Sequence, residues 1–308
     1  MAGGAARARR RRESRGFALR WSAALISGAT PVLAAAGCAI PGPQSDRATL
    51  RALERVSYDD PLGRELSYLR SGDPTLPRLM YVHGSPSDAT AFGDELVNPV
   101  PGFESLSTDR PGYGTAAHTG PVGSFEEQAA ALEPLLETRR GRAPILIGHS
   151  LGGPIIARAA ADFPGRVDGL VIVAGSLDPS LEKPRWYNHI AGAPPARWVM
   201  PGILKVSNAE MMAAPEQTRL LAEVLADVRC PVAIVHGTED GLVPYANVAY
   251  MERTLVNAAA LRVWTLENEG HFLVWNDAGR SAIREAIAWV AGEAESAPTS
   301  GRNDPYEP

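Results

Sequence analysis

The stretch "PILIGHSLGGP" (residues 144–154) places one serine at the end of an apolar run and between glycines. The run predicts a buried strand, and the residues after Ser150 predict a helix with Pro154 in its first turn, where a proline is tolerated. This is a G-x-S-x-G pattern at a sharp strand-to-helix turn, which exposes the serine hydroxyl at the end of a sheet. Side chains at Gly148 and Gly152 would collide with the neighbouring strand and helix. The stretch therefore predicts that Ser150 is a nucleophile.

Short apolar runs recur along the chain, separated by segments with helical spacing. Runs that are apolar on both faces are typical of parallel strands covered by helices. They occur at residues 78–82, 144–148, 169–175, 231–237 and, less regularly, 261–267. One helical stripe covers residues 125–136 and contains Pro134, and another covers residues 283–290. The alternation predicts an α/β fold with a doubly wound, mostly parallel sheet.

A serine hydroxyl needs a base to activate it, and the base needs an acid to orient it. In sheets of this kind the order along the chain is serine, acid, histidine. Asp240 and His271 each follow a predicted strand, so both lie at carboxyl ends, where α/β sheets place their sites. We therefore assign Ser150 as nucleophile, Asp240 as orienting acid and His271 as base. Glu239 and Asp178 remain alternatives for the acid.

An anion-stabilising turn is predicted after the first apolar run, in "YVHGSPSD" (residues 81–88). Such a turn aims a backbone N–H at the oxygen that becomes negative when a nucleophile attacks a carbonyl. By the usual geometry the two donors are the backbone amides of Ser85 and of Leu151, the residue directly after the nucleophile. These two amides are the predicted oxyanion hole.

Other polar residues in these motifs are assigned structural roles. Three histidines in strand-end motifs are expected to make structural hydrogen bonds: His83, His149 and His236. His118 lies in a polar loop and His189 in the long segment after residue 175. Asp109 and Arg110, in "DRPGYG", are expected to brace their loop by an ion pair and backbone hydrogen bonds.

Five motifs in order resemble the landmarks of the α/β-hydrolase superfamily: "HGSP", "DRPGYG", "GHSLGG", "HGTEDGLVP" and "EGHF". The resemblance covers about residues 63–290. It implies an eight-stranded sheet with a helical cap inserted after the sixth strand, where residues 177–228 lie. The dehalogenases and epoxide hydrolases of that superfamily carry an aspartate at the nucleophile position, so Ser150 argues against those two chemistries.

The predicted function is hydrolysis of a carboxylic ester or related acyl bond through an acyl-enzyme. A C–C bond hydrolase, a lactonase, an amidase and a perhydrolase could use the same residues, because fold and triad do not separate these reactions. A non-catalytic, lipid-anchored binding protein is an alternative of another class. Neither a metal motif nor a nucleotide-binding loop occurs in the sequence, so we expect no metal and no cofactor.

The first 37 residues differ in composition from the rest. Residues 1–20 carry seven Arg and one Glu, and residues 21–37 are apolar and small, which predicts an export signal. "AAGC", residues 35–38, resembles a bacterial lipoprotein cleavage box in which Cys38 is lipidated. A secretory signal, an uncleaved anchor and a cytosolic enzyme remain alternatives. The predicted organisation is an export segment at 1–37, a linker at 38–60, an α/β-hydrolase domain at 61–293 and a polar disordered tail at 294–308.

The formal net charge of the chain is −5, and it becomes −11 without residues 1–37. An acidic body argues against nucleic acid or an anionic membrane surface as the main partner. The expected partner, from the predicted triad, is a small-molecule acyl substrate. Of the two cysteines, Cys230 lies in an apolar run and is predicted to be a buried thiol without a disulfide partner. The oligomeric state is left open.

Overall fold

Eight strands form one sheet in the computed structural model, which describes residues 42–296. The strands are β1 Glu54–Asp59, β2 Glu65–Ser71, β3 Arg78–Val82, β4 Glu104–Asp109, β5 Ile145–His149, β6 Gly169–Val173, β7 Val232–Gly237 and β8 Leu261–Leu266. Their order across the sheet is β1-β2-β4-β3-β5-β6-β7-β8. The pairs β1–β2 and β2–β4 are antiparallel, and the others are parallel. The predicted α/β class and the predicted sheet are confirmed.

Helices alternate with the strands along the chain. They are α1 Arg47–Ala52, α2 Gly93–Val97, α3 Phe125–Ala130, α4 Gly152–Asp162, α5 Trp186–Gly192, α6 Ala196–Val199, α7 Gly202–Ala222, α8 Ala246–Thr254 and α9 Asp277–Ser296. Short 3-10 turns lie at Ala89–Phe92, Gly114–Thr119, Glu133–Leu135, Leu225–Asp227 and Leu273–Trp275. None of the helices within residues 42–296 is long and apolar enough to cross a bilayer.

The two faces of the sheet pack against different helices. In β5, Leu146 points into a core shared with Ile156 of α4, whereas Ile145 and Ile147 point into a second core shared with Ile287 of α9. Successive side chains of a strand point to opposite faces, so a strand buried on both faces reads as a continuous apolar run. This is why β3, β5, β6 and β7 could be predicted from apolar runs. The fifth predicted strand, β8, is also present, but it is partly exposed and its sequence is mixed.

The helical stripe at residues 125–136 is interrupted. Helix α3 ends at Ala130, and Pro134 lies in the separate turn Glu133–Leu135. Proline has no backbone N–H to donate and its ring clashes with the preceding turn, so a continuous helix through this position is disfavoured. The apolar side chains Phe125, Leu132 and Leu135 still reach the same core.

The predicted linker at residues 38–60 contains regular structure, which the sequence analysis did not expect. Helix α1 begins at Arg47 after Asp46, whose side chain accepts hydrogen bonds from the backbone N–H groups of Ala48 and Thr49. Strand β1 pairs with β2 at the edge of the sheet and has no fully buried residue. An edge strand of this kind shows no apolar run. The regular fold therefore begins before residue 61, and α9 carries it to Ser296.

The stretch between β6 and β7 contains α5, α6 and α7 and is called the insertion below. Its last part joins the main core, since Leu221 and Leu225 pack with the side chains around α4. The other predictions for the chain ends, namely the export segment, Cys38 and residues 297–308, lie outside the described residues.

Candidate active site

Ser150 occupies a strained turn between β5 and α4. Its φ is +54°, in the left-handed region that a serine rarely adopts. A Cβ on Gly148 would lie 2.4 Å from the carbonyl oxygen of Gly152, and a Cβ on Gly152 would lie 2.2 Å from that of Val82. The predicted collisions at both glycines are therefore confirmed, and they explain why positions 148 and 152, two residues before and after the serine, take no larger residue.

His271 and Asp240 are joined by a hydrogen bond. The distance from His271 Nδ1 to Asp240 Oδ2 is 2.7 Å, and both residues are buried. Asp240 Oδ1 accepts hydrogen bonds from the backbone N–H groups of Leu242 and Val243, at 2.9 and 2.8 Å. Burial favours the neutral carboxyl, but hydrogen bonds from His236 and His271 outweigh it and hold the pKa of Asp240 below its usual range. The carboxylate is therefore ionised, and the backbone N–H groups of Leu242 and Val243 fix its position.

The two alternative acids lie elsewhere. Glu239 is exposed, and its backbone N–H donates to Glu269. Asp178 accepts a hydrogen bond from the backbone of Ser180, and its own N–H donates to Asn247. Of the three carboxylates considered from the sequence, the structure brings Asp240 to His271.

Three histidines make the structural hydrogen bonds expected of them. His149 Nε2 donates to the carbonyl oxygen of His271 at 3.0 Å, His236 Nε2 donates to that of Val243 at 3.0 Å, and His83 Nδ1 donates to that of Gly84 at 2.7 Å. Burial, together with the neighbouring His271, lowers the pKa of His149 to about 3. A neutral His149 therefore positions the backbone of His271 without adding charge beside it.

The turn predicted to stabilise an anion abuts the serine. A Cβ on Gly84 would lie 2.8 Å from Ser150 Cβ and 3.4 Å from Ser150 Oγ, so only glycine allows this approach. Ser85 follows, and its Oγ lies 2.8 Å from Tyr113 OH and 3.0 Å from Ser207 Oγ. Leu151 is the residue before the first turn of α4 and is buried.

A buried polar cluster, missed in the sequence analysis, holds this turn from behind. Arg110 Nη2 donates to the carbonyl oxygen of Gly84 at 2.9 Å, and Arg110 Nη1 donates to Glu210 of α7 at 2.5 Å. Glu210 also accepts hydrogen bonds from Tyr113 OH at 2.6 Å and from Gln128 Nε2 at 3.0 Å. The insertion is thereby tied to the turn that carries Ser85.

Asp109 and Arg110 of the "DRPGYG" loop do not pair with each other; each forms an ion pair with a residue outside the loop. Asp109 pairs with Arg55 and accepts hydrogen bonds from Ala89 and Ser67, whereas Arg110 pairs with Glu210. Both side chains brace their loop as expected, but each does so through a distant element. Glu210 could have been recognised because it lies on the buried stripe of α7, four residues from Val206 and from Ala214.

Replacing Glu210 with alanine is expected to destabilise the fold by about 3–5 kcal/mol, because it leaves the Arg110 guanidinium buried without a counter-ion. Both side chains of the pair are only 1 % exposed. The free energy of unfolding in urea measures this. Glu216→Ala is the matched control, since Glu216 pairs with Arg219 at the surface and such pairs contribute about 0–1 kcal/mol. Equal losses for the two variants would contradict this account of the cluster.

Glu182 is a second unusual carboxylate, located between β6 and α5. Burial raises its pKa to about 7; a hydrogen bond from Ser176 opposes the rise and the charge of Asp178 adds to it. The folded-state pKa lies above the ordinary value of 4.5, so folding favours the protonated form. The stability from this group is complete below the ordinary pKa and is lost as the pH rises through the folded pKa.

The free energy of unfolding of Glu182→Gln is therefore expected to rise relative to that of the wild type as the pH rises. Between about pH 5.5 and about pH 8, the difference in free energy of unfolding should shift by about 2 kcal/mol in favour of the variant. Urea denaturation at the two pH values measures it, with the exposed Glu252→Gln as control. A pH-independent difference would show that Glu182 does not titrate in this range.

Two further features bear on what the site could bind. A cavity of about 410 Å³ lies between the loop after β4 and the start of α7, bordered by Tyr113, Ile203 and Val206. Ser150, Asp240 and His271 do not border it. In the described part of the chain no group of three or more His, Cys, Asp or Glu residues could hold a metal ion.

Cys230 is half-buried, and burial raises the pKa of its thiol to about 12. That thiol is therefore protonated at neutral pH.

The sequence of this chain is similar to proteins that are named for different reactions. The chain is 25 % identical over 227 residues to a non-heme chloroperoxidase of Streptomyces lividans, covering 60 % of this chain and 82 % of that protein. It is 31 % identical over 106 residues to a 2-succinyl-6-hydroxy-2,4-cyclohexadiene-1-carboxylate synthase of Enterobacter sp. (strain 638), covering 34 % of this chain and only 40 % of that protein.

A solved structure shows the same fold at low identity. The monoacylglycerol lipase of Paleococcus ferrophilus superposes with a TM-score of 0.60 and 20 % identity, covering 74 % of this chain and 99 % of that one. The family model described as "Alpha/beta hydrolase family" matches residues 79–282, from β3 into α9. Given a match of that extent and a sheet of this order, the chain belongs to the alpha/beta hydrolase family.

Proposed function

We propose that this hydrolase cleaves a carboxylic ester or a related acyl bond through a covalent acyl-enzyme on Ser150. One observation carries the proposal: the 2.7 Å hydrogen bond from His271 to an ionised, backbone-held Asp240, at the sheet edge where Ser150 sits on its strained turn. A histidine oriented by a buried carboxylate is the base that a serine hydroxyl requires.

The proposed first half-reaction forms the ester bond to the enzyme. Ser150 Oγ attacks the carbonyl carbon while His271 Nε2 takes the hydroxyl proton, and Asp240 stabilises the resulting imidazolium. The negative oxygen of the tetrahedral intermediate accepts hydrogen bonds from the Ser85 and Leu151 amides. His271 then gives its proton to the leaving alcohol, whose bond to the carbonyl carbon breaks.

The second half-reaction releases the acid. His271 removes a proton from water, the hydroxide attacks the acyl carbon, and Ser150 leaves with the proton that His271 returns. No step needs a metal or an organic cofactor. The Ser85 amide depends on the turn that Arg110 and Glu210 support, so the insertion acts on the reaction through that turn.

The insertion is the proposed cap, covering about residues 177–228. In this proposal the acyl chain extends from Ser150 past Tyr113, whose hydroxyl contacts Ser85, into the mainly apolar cavity beside α7. The cap would thereby select the substrate. A lactonase, a C–C bond hydrolase or a perhydrolase remains the second choice, because the relatives include a protein named as a non-heme chloroperoxidase and one named as a 2-succinyl-6-hydroxy-2,4-cyclohexadiene-1-carboxylate synthase.

A series of p-nitrophenyl acyl esters of increasing chain length tests the proposed reaction. We expect turnover of at least the short and medium esters, with a decline once the acyl chain outgrows the apolar cavity. An aliphatic lactone and a peracid assay with hydrogen peroxide and a carboxylic acid serve as comparison substrates. Turnover of these two without any turnover of esters would favour the alternatives.

We further propose that Cys38 is the lipidated first residue of the mature protein, which would keep the enzyme at a membrane outside the cytoplasm. The support is the "AAGC" box after a basic and apolar segment. Cys38→Ala should move the protein from the membrane fraction to the soluble fraction, and metabolic labelling with a fatty acid should be lost. Retention of the variant in the membrane fraction after a high-salt wash, which releases proteins held by charge alone, would contradict lipidation as the anchor.

A further inference from the structure

Exposed apolar side chains concentrate in the insertion. Within residues 42–296, eight large apolar side chains are exposed, and five of the eight belong to the insertion. The five are Trp186, Ile190, Trp198, Val199 and Met212. Single exposed apolar residues are ordinary on protein surfaces, whereas a cluster of them in one short stretch indicates a binding surface.

Two tryptophans mark this surface. Trp186 and Trp198 are 74 % and 73 % exposed. The other tryptophans of the described chain, Trp264, Trp275 and Trp289, are half-buried. Trp186 contacts the ring of Tyr187 and still remains exposed. Trp186 and Ile190 are one turn apart on α5, so both project from the same face, while Asn188 on the opposite face is buried.

The same stretch carries only positive charge. Residues 183–205 contain four cations and no Asp or Glu, and the chain's two lysines are both among them. The four are Lys183, Arg185, Arg197 and Lys205, and all are exposed. In the part of the chain that the structure describes, none of the four forms an ion pair with a carboxylate, although many of its other arginines do.

We propose that residues 183–205 form a membrane-docking surface that binds an anionic bilayer. Tryptophan and basic side chains are the types that settle at a lipid–water interface, where the rings enter the headgroup region and the cations meet lipid phosphates. The acidic remainder orients the molecule. Since this segment carries +4, the rest of residues 38–308 carries −15 and is repelled by the same surface.

This local surface refines the expectation drawn from net charge. An acidic body disfavours an anionic membrane as a partner for the protein as a whole, but it leaves one basic, aromatic face able to approach it. The docking surface is independent of Cys38 and of the proposed reaction, because it depends only on exposed side chains of α5, α6 and the start of α7.

Tryptophan quenching by brominated lipid tests the proposal in the full-length protein. The vesicles contain brominated phosphatidylcholine and one third phosphatidylglycerol. Tryptophan fluorescence with these vesicles is compared with the fluorescence given by unbrominated vesicles of the same composition. Trp186→Phe/Trp198→Phe removes the two reporters while leaving every other tryptophan in place. The readout is the difference between wild type and this variant, which removes the contribution of every other tryptophan. The charge variants described next separate docking by this surface from attachment through another segment.

Two charge variants complete the design. The first replaces the four cations of the docking surface with glutamine. The matched control makes the same change at four exposed arginines outside the segment, Arg47, Arg51, Arg229 and Arg253. Each surface cation near an anionic bilayer contributes binding free energy, so we expect the first variant to need at least about tenfold more lipid for half-maximal quenching and the control to stay near the wild type.

The expected result is strong quenching in the wild type, weaker quenching in the double Phe variant, and relief of the difference at high salt. Equal quenching of the wild type and the double Phe variant would overturn the proposal, as would equal behaviour of the two charge variants. If a second copy covers this face instead, sedimentation will show a dimer that the double Phe variant loses, without any lipid quenching.

Discussion

Replacing Ser150 with alanine is expected to lower kcat on an activated ester by at least about 10⁴-fold, because the variant has no nucleophile to form the acyl-enzyme. The site keeps its other groups: His271 still bonds to Asp240, and the turn at Gly84 is unchanged. What remains should be the slow hydrolysis that an oxyanion hole and binding alone can give. Steady-state kinetics with a p-nitrophenyl ester measures the loss.

Folding and specificity controls accompany this variant. Alanine tolerates the φ of +54° about as poorly as serine, so the urea midpoint should stay close to that of the wild type. Ser207→Ala removes another buried serine, which contacts the Ser85 hydroxyl and no reacting atom. Its kcat should fall by about tenfold at most. If Ser150→Ala keeps wild-type turnover, the reaction does not pass through this serine.

Asp240→Asn is expected to lower kcat by about 10⁴-fold while leaving the fold intact. Asp240 Oδ1 is held by the N–H groups of Leu242 and Val243, so an asparagine oxygen will take this place and its NH₂ group will face His271. That group can only donate, so His271 Nδ1 must accept and its proton moves to Nε2. The imidazole then presents a proton, not a lone pair, to Ser150.

The two alternative acids supply the controls. Glu239→Gln and Asp178→Asn should change kcat little, because neither carboxylate is bonded to His271 in the structure. Both variants and Asp240→Asn are compared by kcat and by unfolding in urea. A large loss in Asp178→Asn with near-normal Asp240→Asn would assign the orienting acid to the loop after β6 instead.

Strands that are apolar on both faces could be predicted from the sequence. Strand β4 could not be predicted in this way, because its sequence is mostly polar. All six residues of β4, "ESLSTD", are buried, yet five of the six are polar. Glu104 is paired with Arg78 of the neighbouring β3, and Asp109 is paired with Arg55 of β1, two strands away. These partners are distant in sequence, so the pattern of residues 104–109 gives no sign that its two carboxylates are paired in the interior.

The candidate site also has residues that could be predicted from the sequence and residues that could not. The positions of Ser150, Asp240 and His271 at strand ends could be predicted because each lies in a short motif directly after a predicted strand. The contact between Asp240 and His271 follows because the topology brings these strand ends together. The Arg110–Glu210 pair could not be predicted, since a hundred residues separate its members and the path of the insertion decides their contact. A carboxylate on the buried face of a helix is the signal to search for in such cases.

Labelling with a fluorophosphonate tests the central claim most directly, because this reagent reports an activated serine without requiring the substrate to be known. The full-length protein and Ser150→Ala are treated side by side, and the modified residue is located by peptide mass spectrometry. The account predicts stoichiometric labelling of Ser150 that is absent in the variant and strongly slowed in Asp240→Asn. A folded wild-type protein that does not label, or that labels at another serine, would contradict it.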